Sequence, residues 1–128
     1  MAQSYFFIRT DRQYVKIKFS DIIYIEACQN YVALVTDKGT HMSLLSMKQL
    51  DRILPKHQFC RVHRSCIVSI ERVLSFDHDT VHLEGKTIPM GERYRKQLEQ
   101  RVIIVTSEVR DNRHMNSVKV MSSMLEVN

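Results

Sequence analysis

The sequence predicts a mainly β fold, an elongated stack of antiparallel sheets and hairpins with one short helix mid-chain and one C-terminal helix. Three observations predict it. Short runs of β-branched and aromatic residues recur along most of the chain with turn residues between them. Before the C-terminal third, only the stretch from Ser46 to Pro55 spaces its apolar residues as a helix does. With 128 residues, 44% of them hydrophobic, and only three Gly and two Pro, the chain has the material for one packed domain.

Tyr5-Phe6-Phe7-Ile8 reads as a first strand and Val15, Ile17 and Phe19, alternating with Lys16 and Lys18, as a second. Asp11-Arg12-Gln13 separates them, so the two form a hairpin. Ile22–Ile25 and Tyr31–Val35 follow, joined through Ala27-Cys28-Gln29-Asn30, and Asp37-Lys38-Gly39 turns the chain into Thr40–Ser43. The first half is thus a β-meander.

Ser46 then offers a helix N-cap with Gln49 three residues later, Met47, Leu50, Ile53 and Leu54 share a face, and Pro55 ends the run. This stripe is core material covering a sheet. The alternating residues Cys66, Val68 and Ile70 predict a buried strand face, and Val73–Phe76, Val81–Glu84 and Thr87–Met90 read as short strands, the last two joined through Gly85-Lys86. From Gly91 a helix is expected, with Tyr94, Leu98 and Val102 four residues apart. Residues 1–105 form one domain on this reading, and 106–128 a tail of uncertain order in which Val118–Met121 is at most a marginal strand.

The chain carries 19 Lys+Arg against 14 Asp+Glu, a net charge of +5, which admits polyanionic partners without demanding one. Two segments are locally basic. Lys56, Arg61, Arg64 and Arg72 face only Glu71, and Arg93, Arg95, Lys96 and Arg101 outnumber Glu92 and Glu99. Three cysteines are too few for a secreted disulfide scaffold, no apolar run reaches the roughly 18 residues of a membrane span, and the first residues do not form a signal peptide. A cytoplasmic protein without a membrane partner is expected.

The densest cluster of polar chemistry is Phe59-Cys60-Arg61-Val62-His63-Arg64-Ser65, immediately before the strand from Cys66. Arginine offers a planar fork of donors that fits phosphate or the guanine edge, and serine a small hydroxyl. Nucleic acid is the first partner to consider. Cys60, His63 and Cys66, with His57, invite a zinc site, but three-residue spacing along an extended chain puts consecutive members on opposite faces. Buried thiols and one hydrogen-bonding histidine are expected instead, with no metal and no cofactor. Gly-rich phosphate loops, nucleophile elbows, His-Glu-x-x-His and Cys-x-x-Cys are all missing, so no enzyme is expected.

Four blocks resemble the LytTR family of bacterial DNA-binding output domains: Asp21–Ala27, Asn30-Tyr31-Val32, Phe59–Ser65 and Ile88–Tyr94. The resemblance runs from about Phe7 to Val102. It implies stacked antiparallel sheets whose inter-strand loops enter successive major grooves of double-stranded DNA, in a transcriptional regulator of the two-component response-regulator type. It places the DNA contacts at Asn30 and Tyr31, at Arg64 and Ser65, and at Arg93 and Arg95 where the last helix opens. Lys96 is the accompanying phosphate contact, and Arg61 is either another or a solvated charge. Tyr31 and Tyr94 are also candidates for plain packing. Gly91 and Glu92 depart from the serine and arginine common in relatives, which removes one polar contact and sets a carboxylate near the phosphates.

The resemblance further implies two copies on promoter repeats, and control by an upstream receiver domain or histidine kinase system outside these residues. The chain is then either a stand-alone regulator or the output domain of a longer protein. The alternative is a protein-interaction module that keeps the fold and has lost specific DNA binding.

Overall fold

The computed structural model describes residues 3–107 and the pair Val120–Met121. Its centre is a five-stranded antiparallel sheet built from β3 (Ile22–Cys28), β4 (Tyr31–Thr36), β5 (Gly39–Ser43), β6 (Phe59–His63) and β7 (Cys66–Ser69), ordered β5-β4-β3-β7-β6. The sheet is apolar on both faces because it is covered on both. Leu34, Ile25 and Ile67 sit opposite one another across β4, β3 and β7 and point to one side, while Cys66 and Val68 point to the other. Slipping β7 by one residue would exchange these sets between two cores, so its register is held from both faces.

The first core lies under the hairpin of β1 (Tyr5–Arg9) and β2 (Tyr14–Lys18) and under α1 (Met47–Ile53). Ile8 and Ile17 from the hairpin and Leu50 and Leu54 from the helix region meet Ile22, Ile25 and Leu34 of the sheet. Phe19 ties them together, stacked on Phe6 at 5.5 Å and edge-on to Phe59 at 6.1 Å. The expected capping box is present, with the Gln49 N–H donating to Ser46 Oγ at 3.1 Å and the Ser46 N–H to Gln49 Oε1 at 2.9 Å. Of the four residues assigned to its inner stripe, Leu50 and Leu54 are buried and Met47 packs at the margin, whereas Ile53 is exposed. A seven-residue helix, about two turns, is too short to carry the whole stripe onto the sheet.

On the other face, a three-stranded sheet of β8 (Ser75–Phe76), β9 (Thr80–Leu83) and β10 (Lys86–Pro89), together with α2 (Glu92–Glu99), encloses the second core of Cys60, Val62, Cys66, Val68, Val81, Leu83, Ile88, Met90 and Leu98. Ile70 belongs to a 3-10 turn, not to β7, yet still packs on this core. Val102 lies beyond the end of α2 and does the same. The sheet edge at β6 is closed: Arg101 donates to the carbonyls of Phe59 at 2.6 Å and Lys56 at 3.3 Å.

Beyond the core, β11 (Ile104–Val105) pairs with β12 (Val120–Met121), so half of the marginal strand expected at 118–121 is a strand. The remainder of the expected tail lies outside the described residues.

Candidate nucleic-acid interface

The pairing of His63 with Cys66 leaves Arg64 and Ser65 as a two-residue turn between β6 and β7. A register shift between Arg61 and His63 precedes it, and Val62, on the same face of β6 as Cys60, enters the second core while the turn stays outside. The His63 ring fixes the turn from within. Its Nδ1 accepts the Ser65 N–H at 3.2 Å and lies 2.9 Å from Ser65 Oγ. The ring thus ties both the backbone and the hydroxyl of Ser65 into the turn.

Arg61 fixes the turn from the other side. Its Nη1 donates to Asp51 of α1 at 2.9 Å, its Nε to the His63 carbonyl at 3.3 Å, and its Nη2 to the Arg64 carbonyl. Three of the five guanidinium N–H groups are thus bonded within the protein, and the side chain remains 26% exposed. Arg64 is exposed, and among the described residues its guanidinium has no partner.

Gln29 and Asn30 form the turn between β3 and β4, closed by the pair Cys28 and Tyr31. Gln29 has φ of 57°, the left-handed conformation a tight hairpin turn needs at its first position, and it places Asn30 in solvent. Tyr31 remains 47% exposed, so packing does not consume its ring.

The third segment is the start of α2. Gly91 is its N-cap and contributes no side-chain bond. A Cβ there would come within 3.3 Å of the Tyr94 ring, so the missing side chain lets Tyr94 fold back against the cap. Arg93 is exposed, its guanidinium 5.0 Å from the Tyr94 ring centre and 3.1 Å from its hydroxyl. Arg95 turns inward and pairs with Glu99 at 3.3 Å. Lys96 is exposed and lies 3.8 Å from Glu92, so that carboxylate is partly neutralised by its own helix.

Two backbone hydrogen bonds bring these segments together. The Ala27 N–H donates to the Ser65 carbonyl at 2.9 Å, and the Gly91 N–H to the Val62 carbonyl at 3.2 Å. Asn30, Arg64 and the α2 N-terminus thus stand in a row along one end of the central sheet. Three acids beside this row are paired, Glu26 with Lys86 at 3.6 Å, Asp51 with Arg61 and Glu92 with Lys96. A groove of about 350 Å³ between α1 and α2, lined by Lys56, Arg61, Arg93 and Arg101 with Asp51, keeps the local field positive.

A model of the LytTr DNA-binding domain matches residues 12–103. The chain belongs to the LytTR DNA-binding domain family. This LytTR domain is 26% identical over 92 residues to the sensory transduction protein LytT of Bacillus anthracis, and equally to that of Bacillus cereus strain ATCC 14579. Each match covers 67% of the chain and 37% of the relative, so the chain spans well under half the length of the curated relatives it matches. A solved LytTr DNA-binding domain from Bacillus cereus superposes with a TM-score of 0.66 at 22% identity, covering 78% of this chain and 97% of the other. That likeness is one of fold: antiparallel sheets with two helices among the described residues.

The basic segment expected between Lys56 and Arg72 is not one patch. Arg72 lies at the far end of β7, where it grips Asp37 through two bonds of 2.9 and 2.6 Å and the Ser20 carbonyl at 2.8 Å. The sequence reading also missed Asp51, the partner of Arg61. Only the charge alternation along α1 hints at it, since the pairing is tertiary.

Proposed function

We propose that this LytTR domain binds double-stranded DNA sequence-specifically, laying the Asn30, Arg64 and α2 N-terminal segments into successive major grooves. The row made by the two backbone bonds to Ser65 and Gly91 carries the reading, because it sets three polar segments at fixed spacing on one rigid sheet end. Arg64, exposed and without a partner among the described residues, is the base reader, its fork suited to a guanine edge. Asn30 pairs with a second base edge, and Tyr31 contacts a phosphate or a thymine methyl. The Ser65 hydroxyl, 2.9 Å from His63 Nδ1, accepts from a base amino group or donates to a phosphate. Arg93 and Lys96 hold phosphates beside the positive end of α2.

Arg61 and Arg95 act as frame in this proposal, the first ordering the Arg64 turn and the second bracing α2. The domain works in the cytoplasm as a transcriptional regulator, two copies sitting on promoter repeats under a receiver domain or histidine kinase system outside these residues.

Selection of bound duplexes from a random pool, followed by salt-titrated mobility shifts on the winner, tests the reading. Arg64→Ala should cost roughly 1–3 kcal/mol and relax preference at one base pair, whereas Lys96→Ala weakens all duplexes about equally and lowers the salt slope. If no sequence is enriched and binding stays weak on every duplex, the protein-interaction alternative replaces this one.

A further inference from the structure

The hairpin of β1 and β2 turns Phe6, Ile8, Val15 and Ile17 into the first core and presents the alternate residues outward. On that outer face stand three rings, Tyr5, Phe7 and Tyr14, which are 37%, 52% and 66% exposed. The register sets each of them directly opposite a cation: Tyr5 faces Lys18, Phe7 faces Lys16, and Tyr14 faces Arg9. Lys16 Nζ lies 4.5 Å from the Tyr5 ring centre and 6.0 Å from that of Phe7, and the Arg9 guanidinium lies 5.7 Å from Tyr14. Arg12 sits in the connecting turn beside the face's single acid, Asp11. Among the described residues none of Arg9, Arg12, Lys16 and Lys18 has a carboxylate partner.

We propose that this ribbon face is a second binding site, for single-stranded nucleic acid; Phe7 and Arg9 share a groove with Tyr31 of the DNA-facing row, while Tyr5 and Tyr14 lie outside that groove. The repeat is the argument. Residues two apart on a strand are separated by roughly 6.6 Å, and each such step carries one ring and one cation. A single-stranded chain repeats one base and one phosphate per step, with every base offering a stackable face whatever its identity. An acidic protein surface matches the charge but has no such period. A second copy of this chain would set cations against cations. Binding moves the Lys16 ammonium from the rings to a phosphate and gives the freed Tyr5 and Phe7 rings to bases, so rings and cations are both used.

The site does not rest on the duplex-binding reading, and its test separates the two. Labelled oligothymidylate and oligouridylate of roughly ten nucleotides, within the usual site size, are titrated by fluorescence anisotropy at low salt. Tyr5→Ala and Tyr14→Ala, both at exposed positions, should each weaken binding roughly 5- to 150-fold while leaving the duplex mobility shift unchanged. Arg64→Ala should do the reverse. Equal affinity for the two oligonucleotides means that stacking, not the 2′-hydroxyl, is read, and a preference for one names the natural ligand. The proposal is overturned if neither oligonucleotide binds, if ring substitutions leave affinity unchanged while Lys16→Glu abolishes it, or if Arg64→Ala abolishes both activities. Ring-dependent binding to anionic phosphatidylserine vesicles without oligonucleotide binding would assign the face to lipid and overturn it as well.

Discussion

Replacing Arg61 separates a side chain that orders the interface from one that touches a ligand. Arg61→Ala removes three hydrogen bonds from one ionised group: the Asp51 ion pair and the bonds to the carbonyls of His63 and Arg64. The ion pair is worth little, about 0.5 kcal/mol, because its side chains remain 26% and 40% exposed. The two carbonyl bonds are charge-assisted, but their acceptors lie in a surface turn that water can reach, so about 0.5–1 kcal/mol each is appropriate. The sum is about 2 kcal/mol.

Urea unfolding followed by far-ultraviolet circular dichroism should report that loss, and a thermal scan a fall of roughly 10 °C for a domain of this size. Asp51→Ala, losing the ion pair alone, should cost about 0.5 kcal/mol. Arg64→Ala, with no partner to lose, should stay within about 0.5 kcal/mol of the parent. If Arg61→Ala is as stable as the parent, or if Arg64→Ala is the more damaging of the two, the division of this segment into frame and reader is wrong.

The cysteines give a second expectation. Burial pushes the Cys66 thiol up to about 12 and raises that of Cys60, whereas Cys28 is exposed. One thiol should react rapidly with an aromatic disulfide reagent in the native protein and three in denaturant, and a second fast thiol in the native state would contradict the burial. The sign of the linkage follows: the unfolded Cys66 ionises near 9.0 and the folded one near 12, so stability is full below 9.0 and falls as pH rises through that window. Cys66→Ala should flatten that part of the profile, and an unchanged alkaline slope would locate the loss elsewhere. At the acid end, the hydrogen bond from Arg72 is the main cause holding the Asp37 carboxyl below its usual 3.8. Its contribution is present above that value and lost as pH falls below it, so Asp37→Asn should weaken the neutral protein and shallow its acid transition, measured by urea midpoints across pH.

The strands were legible because their apolar residues alternate between turn residues that leave little choice, as Val15 and Ile17 do beside Lys16 and Lys18. The capping box at Ser46 and Gln49 was legible for a similar reason, being a local exchange of two hydrogen bonds. What stayed hidden depends on partners distant in sequence. Arg61 and Arg64 look alike in the text, and only Asp51, ten residues earlier on another element, makes one a frame and leaves the other free. Arg72 reads as part of a basic run until Asp37, thirty-five residues away, takes it to the far end of the sheet. The ribbon's rings were visible as strand formers, but their pairing with cations is a matter of register, which the turn at residues 10–13 sets and composition does not.

The closure of β6 by α2 and Arg101 has a consequence for assembly. A sheet has two places where a neighbouring chain can add a strand, and here one is occupied by the protein's own side chain and helix. The other place in the central sheet is β5, while the hairpin of β1 and β2 and the sheet of β8, β9 and β10 have edges of their own. Strand addition to the central sheet can therefore join two molecules at β5 and then stops, because that sheet has no second open edge to extend from. A ribbon that grows through the central sheet is thereby excluded as a mode of assembly.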